Sequence, residues 1–159
     1  MPLENRAGVC CFTGHRPEKL HGDEQEIKTG LESAILRAID SGYDCFISGM
    51  SRGVDIWAAE IVLELKRDIP ELQLIAALPY EGMGNSWNAV WKDRYLAILD
   101  KADRVKVFSS TYHRGVYFER DKWMVDMCSR VIAVYHGEPG GTKSTIDYAG
   151  FQGVEVVAV

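Results

Sequence analysis

Three short stretches bring small residues, hydroxyls and basic side chains together in the pattern that anion recognition needs. In TGHRPEKL (13–20), Thr13 offers a hydroxyl, Gly14 a permissive backbone, and His15 and Arg16 positive or donor groups. The planar fork of Arg16 can clamp a phosphate through two hydrogen bonds. In SGMSRGVD (48–55), Ser48 and Ser51 carry hydroxyls, Gly49 and Gly53 bracket a tight turn around Arg52, and Asp55 falls in the first turn of a following helix. The free N–H groups at that helix start face the loop and form an anion site. In HGEPGGTKST (136–145), Gly140 and Gly141 turn the chain, and Thr142, Ser144 and Thr145 place hydroxyls at another helix start. That is the layout of a phosphate cradle.

Each stretch also has a plainer reading. Arg16 could pair with a nearby carboxylate in a turn that Pro17 ends, and Asp55 could simply stabilise the positive end of its helix. As a ligand group, Asp55 would meet a ribose hydroxyl. Thr142 or Ser144 could be an ordinary helix cap. GMSRG (49–53) fits G-x-S-x-G, the nucleophile elbow of α/β-hydrolases, with Ser51 as nucleophile and His113 or His136 late enough in the chain to be its base. The chain is short for that fold, and the elbow would follow the second strand, so Ser51 beside a phosphate is the simpler use. GEPGGTKS (137–144) is neither G-x-x-x-x-G-K-[ST] nor G-x-G-x-x-G. No cofactor is expected.

These loops need elements to hold them. Apolar runs at 7–12, 43–48, 72–78, 130–135 and 154–159 are short and continuous, as strands buried on both faces are. DRVKVFS (103–109) alternates and is expected nearer an edge. Between the runs, apolar residues recur at helical spacing: Ile27, Leu31, Ala34, Ile35, Ala38; Ile56, Ala59, Val62, Leu63, Leu65; Val90, Tyr95, Leu96, Leu99; Tyr117, Trp123, Met124, Met127. Residues 142–152 make a last, short helix. The alternation predicts a three-layer α/β/α Rossmann-like domain over residues 1–159, with a mostly parallel sheet. Most of the fifteen glycines lie where a strand hands over to a helix. In a parallel sheet those loops gather at the carboxyl edge, where open α/β sheets bind ligands.

Composition narrows the partners. A hydrophobic fraction of 47% fits a globular protein. No apolar run nears the roughly 20 residues that span a bilayer, and MPLENRAG lacks a signal-peptide pattern, so the expectation is a cytoplasmic protein without membrane contact. The formal net charge of −5 and the absence of a Lys/Arg cluster speak against nucleic acid. A small anion needs only local positive potential. Cys10, Cys11, Cys45 and Cys128 have no C-x-x-C spacing and read as buried free thiols, with no metal. Trp87, Trp91 and Tyr95 read as packing, and LPYEGMGNSW (78–87) as a cover for the site.

FTGHRPEKL, SGMSRGVD and ERDKWMVDMCSRVIAVYHGEPGGTKSTIDYA together resemble the SLOG superfamily, which groups DprA/Smf-like proteins with the Lonely Guy (LOG) phosphoribohydrolases. The nearest branch by resemblance is the small YpsA-like proteins. The resemblance implies a nucleotide-like small ligand and pairing into a homodimer. LOG enzymes cleave the N-glycosidic bond of nucleoside monophosphates carrying a modified base, with an arginine from an RK helix and a glutamate from a PGGxGTxxE loop. Laid on this chain, the arginine falls on Arg120 and the glutamate on Asp147, which makes these two the catalytic candidates. Pro139, Gly140 and Gly141 match, whereas Lys143 stands for a glycine and Ser144 for the threonine. A sensing or signalling domain for a nucleoside monophosphate, ADP-ribose or NAD is therefore the first expectation. LOG-like hydrolysis is the second, and DprA-like DNA binding or a Ser51 hydrolase come after it.

Overall fold

A computed structural model describes residues 6–159. The first five residues, on which the signal-peptide reading partly rests, lie outside the described residues. Six strands and five helices alternate: β1 (Val9–Gly14), α1 (Glu24–Asp40), β2 (Cys45–Ser48), α2 (Val54–Lys66), β3 (Gln73–Leu78), α3 (Ala89–Lys101), β4 (Arg104–Val107), α4 (Val116–Asp126), β5 (Arg130–Val134), α5 (Gly141–Phe151) and β6 (Glu155–Ala158). The sheet order is β4-β3-β2-β1-β5-β6. Every pairing is parallel. The alternating run does form an edge strand: all four residues of β4 are exposed.

Strand period two sends alternate side chains to opposite faces. Cys10, Phe12, Phe46, Leu74, Ala76, Ile132 and Val134 pack against α1, α2 and α3. Val9, Cys11, Cys45, Ile47, Ile75 and Val131 pack against α4 and α5. The result is a three-layer α/β/α architecture. Phe12 and Phe46 stack at 6.0 Å between ring centres, worth about 0.5–1.5 kcal/mol beyond the area they bury. All four cysteines are buried and free. Burial pushes the Cys45 thiol up to about 11 and raises that of Cys10 well above the usual thiol range, so both stay protonated and inert. No helix among the described residues is long and apolar enough to cross a membrane.

One close approach fixes the site's geometry. The end of β1 passes so near the start of α2 that a Cβ on Gly14 would collide with the Val54 side chain. Val54 is fully buried and its Cβ cannot swing aside. Gly14→Ala therefore overpacks this crossing and should cost about 1–3 kcal/mol, read as a lowered urea midpoint at unchanged slope. An unchanged midpoint would mean the crossing is loose.

Candidate functional site

The strand order reverses between β1 and β5, so the loops that leave these two strands diverge and open a crevice at the carboxyl edge. A cleft of about 330 Å³ lies there. Thr13 and Gly14 line it from β1, and His15 and Arg16 from the loop that follows; Ser51 from the loop after β2; Asp55 from the first turn of α2; Arg120 from α4; and Gly140, Gly141 and Thr142 from the start of α5. Three separate sequence stretches thus meet in one place.

The α5 end is built to accept an anion. Its N-cap is Gly140, at φ 140°, and no side chain caps the helix. The first-turn N–H groups therefore lack the carboxylate or hydroxyl partner that most helices supply. Thr142 is buried against the cleft. Across it sits His15, only 5% exposed, with no hydrogen-bond partner for its Nε2. Burial first, then the neighbouring His136 and Lys19, hold its pKa below the usual histidine value. His15 also packs on Tyr135, with 5.5 Å between ring centres.

The floor is ionic. Arg120 is 3% exposed. It donates to the carbonyl of Gly49, to that of Ala77 at 3.2 Å and to Asp121 Oδ1 at 2.7 Å. Gly49 must lack a side chain, because a Cβ there would lie 2.8 Å from the guanidinium carbon and 3.0 Å from Asp55 Oδ2. Asp55 Oδ2 accepts from the Ser51 N–H at 3.3 Å, while Oδ1 has no partner. Burial raises the Asp55 pKa to about 7 against the opposing pull of Arg120.

Other candidates take different places. Ser48 is buried and fully used: its hydroxyl donates to the Asp55 carbonyl at 2.8 Å and accepts from Met50 N–H at 3.1 Å. Gly53, at φ 92°, caps α2 where no side chain does. Arg52 pairs with Glu18 at 2.5 Å and lines a neighbouring chamber with Arg16 and Ser51. On α5 the helical phase decides. Thr142, Thr145 and Ala149 face inward, and the Thr145 hydroxyl bonds back to the Gly141 carbonyl at 2.9 Å. Ser144 is exposed. Asp147 is exposed too, tied to Lys143 at 2.7 Å in an i,i+4 pair, and does not meet Arg120. The carboxyl groups that do lie with Arg120 are Asp55 and Asp121. No histidine among the described residues hydrogen-bonds Ser51. Sequence reasoning passed over Lys19, Tyr117 and Asp121, which also line the cleft. Tyr117 and Asp121 stand at positions −3 and +1 from Arg120, so the helical face around that arginine was the available signal.

A model of the YspA SLOG family matches residues 10–154. A UPF0398 protein of Oceanobacillus iheyensis is 28% identical over 148 residues, 87% of this chain and 80% of its own length. One of Brevibacillus brevis is 30% identical over 118 residues, 73% and 63%. Among solved structures, DNA processing protein A (DprA) of Streptococcus pneumoniae superposes with a TM-score of 0.68 at 17% identity, covering 96% of this chain. The Helicobacter pylori protein, described for its single-stranded DNA binding mode, gives 0.66 at 14% and 94%. The likeness is one of fold, and this chain spans 50% and 64% of those two proteins.

The carboxyl of Asp55 gives a pH signature. In the unfolded chain it ionises near pH 4, and in the folded protein near 7. The folded state therefore holds the proton longer. The stability that neutral Asp55 contributes is complete below about pH 4 and falls away up to about pH 7. Asp55→Asn should flatten this fall, the gap from wild type changing by up to about 1.4 kcal/mol per pH unit inside that window. Urea denaturation at a series of pH values checks it; parallel profiles would show that Asp55 is already ionised when folded.

Proposed function

The chain belongs to the YspA SLOG family, and on that footing we propose that it binds a nucleotide or nucleotide-derived ligand at the carboxyl edge of its sheet. The ligand is of the nucleoside monophosphate, ADP-ribose or NAD kind, and the role is sensing or signalling. The phosphate sits at the uncapped start of α5, between Gly140–Thr142 and His15. One observation carries the reading: the buried His15 ring lines the same cleft as that helix start, and its Nε2 has no partner within the protein. An unsatisfied buried polar group costs about 1–3 kcal/mol, and a ligand oxygen removes that cost. Asp55 Oδ1, the other unpartnered atom in the cleft, suits a ribose hydroxyl as donor.

Hydrolysis of an N-glycosidic bond is the second reading. Its support is Asp55, which lies in the cleft with Arg120 and titrates near neutrality, where general acid–base groups work best. Asp147, outward and paired with Lys143, gives it none. A strand-binding role of the DprA kind has the fold in its favour, but the net charge is −5, against the basic surface that a phosphate backbone selects.

A thermal-shift series with AMP, ADP-ribose, NAD and phosphate-free adenosine tests the reading. At about 100 times Kd a ligand should add about 2.7 kcal/mol. The phosphorylated compounds should stabilise the protein and adenosine should not. His15→Ala should weaken the best of them about tenfold or more, as loss of a hydrogen bond to a charged group does. No shift with any nucleotide, or an equal shift with adenosine, would overturn it.

A further inference from the structure

A second chamber, about 460 Å³ in volume, adjoins the phosphate cleft. Arg16, Ser51 and Tyr117 line both, so the two spaces share a boundary. Tyr80, Trp87 and Trp91 form its aromatic wall. These three rings are half-buried, unlike Trp57 and Tyr95 behind them, which are buried. The wall is braced from behind. Trp87 meets Tyr95 edge-on at 5.2 Å between ring centres, and Trp91 meets Trp57 at 6.1 Å. The Arg94 guanidinium lies 4.9 Å from the Trp91 ring. The loop carrying Trp87 is pinned as well: a Cβ on Gly84 would lie 3.0 Å from Tyr95 and 3.3 Å from Trp87.

A space walled by fixed rings forfeits their dispersion contacts until something flat fills it. Its rim is polar. Asn88 spends its Oδ1 capping Trp91 N–H at 3.1 Å, which leaves its amide donors free for a ring edge. Arg16 is exposed and its side chain makes no hydrogen bond or ion pair among the described residues, so its guanidinium is available at the boundary. Resting on the phosphate reading above, we propose that this chamber is a ring subsite and that the ligand is a nucleoside phosphate lying across both spaces. Its planar base enters between Tyr80, Trp87 and Trp91. Its ribose hydroxyls meet Asp55, and its phosphate reaches α5. Stacking faces with a few edge donors are what base recognition requires.

The test compares AMP with ribose 5-phosphate, the same anion without the ring, by isothermal titration calorimetry. Wild type should bind AMP about tenfold tighter or more, the scale of one stacked base. Trp87→Ala should erase that preference and leave ribose 5-phosphate affinity unchanged. Ser86→Trp, which fills the chamber from an exposed rim position, should do the same without removing a packed side chain. Equal affinities in wild type, or a preference that survives both variants, would overturn the ring subsite while leaving the phosphate site standing. If neither compound binds, both readings fall. If a 5′-phosphorylated single-stranded oligonucleotide binds far tighter than AMP, the occupant is a nucleic-acid strand and the nucleotide proposal is overturned.

Discussion

The buried guanidinium of Arg120 organises the carboxyl edge. A charge at 3% exposure is sustained only where its donors are met. Here three of its five N–H donors are met by the loop after β2, through the Gly49 carbonyl, by the end of β3, through Ala77, and by Asp121 on its own helix. One side chain from the α4–α5 layer thereby ties two central strands at the height where their loops begin. The bareness of Gly49 follows from it, and so does the placing of Asp55 within reach of a compensating charge.

Around that tie the site is left incomplete. His15 Nε2 and Asp55 Oδ1 are two of the three buried side-chain polar atoms without a partner among the described residues, and both residues line the cleft. The third, Trp57 Nε1, does not line it, and away from the crevice Asp23 and Asn88 cap α1 and α3 with their side chains. The two helix starts without a side-chain cap that flank the crevice, α2 and α5, begin at glycines held at positive φ. Helix α4 also lacks a side-chain cap, but its N-cap Gly115 does not line the cleft.

The layers and their order of elements were legible because buried parallel strands and amphipathic helices leave different periods. Alternation singled out β4 as an edge. Gly42 and Gly153 follow the ends of α1 and α5, and both close the paired bonds of a Schellman turn, from Tyr43 N–H to Ala38 and from Val154 N–H to Ala149. The convergence of residues 13–16, 51–55 and 140–142 followed from topology alone. Side-chain direction was not legible. Ser48 and Thr145 carry hydroxyls at the right sequence positions, yet both are consumed locally. Trp87 and Trp91 do pack, as read, on the edge of the core, and they also line a chamber. Whether a ring faces a void depends on the path of loop 79–88, which no periodicity encodes.

Asp147 shows how a family alignment and a helix can disagree. A position on a helix is fixed in rotation by the residues that must be buried. For α5 these are Thr142, Thr145 and Ala149, spaced three and four apart. Asp147 falls between them and so points outward. Lys143, four residues earlier, is its natural partner on that exposed face. A glycine at 143 would leave the carboxylate unpaired, whereas the lysine supplies a partner outside the cleft. The substitution and the outward acid are therefore one arrangement. It leaves the carboxyl chemistry of the cleft to Asp55, which is held by a backbone N–H and sits beside a fixed arginine.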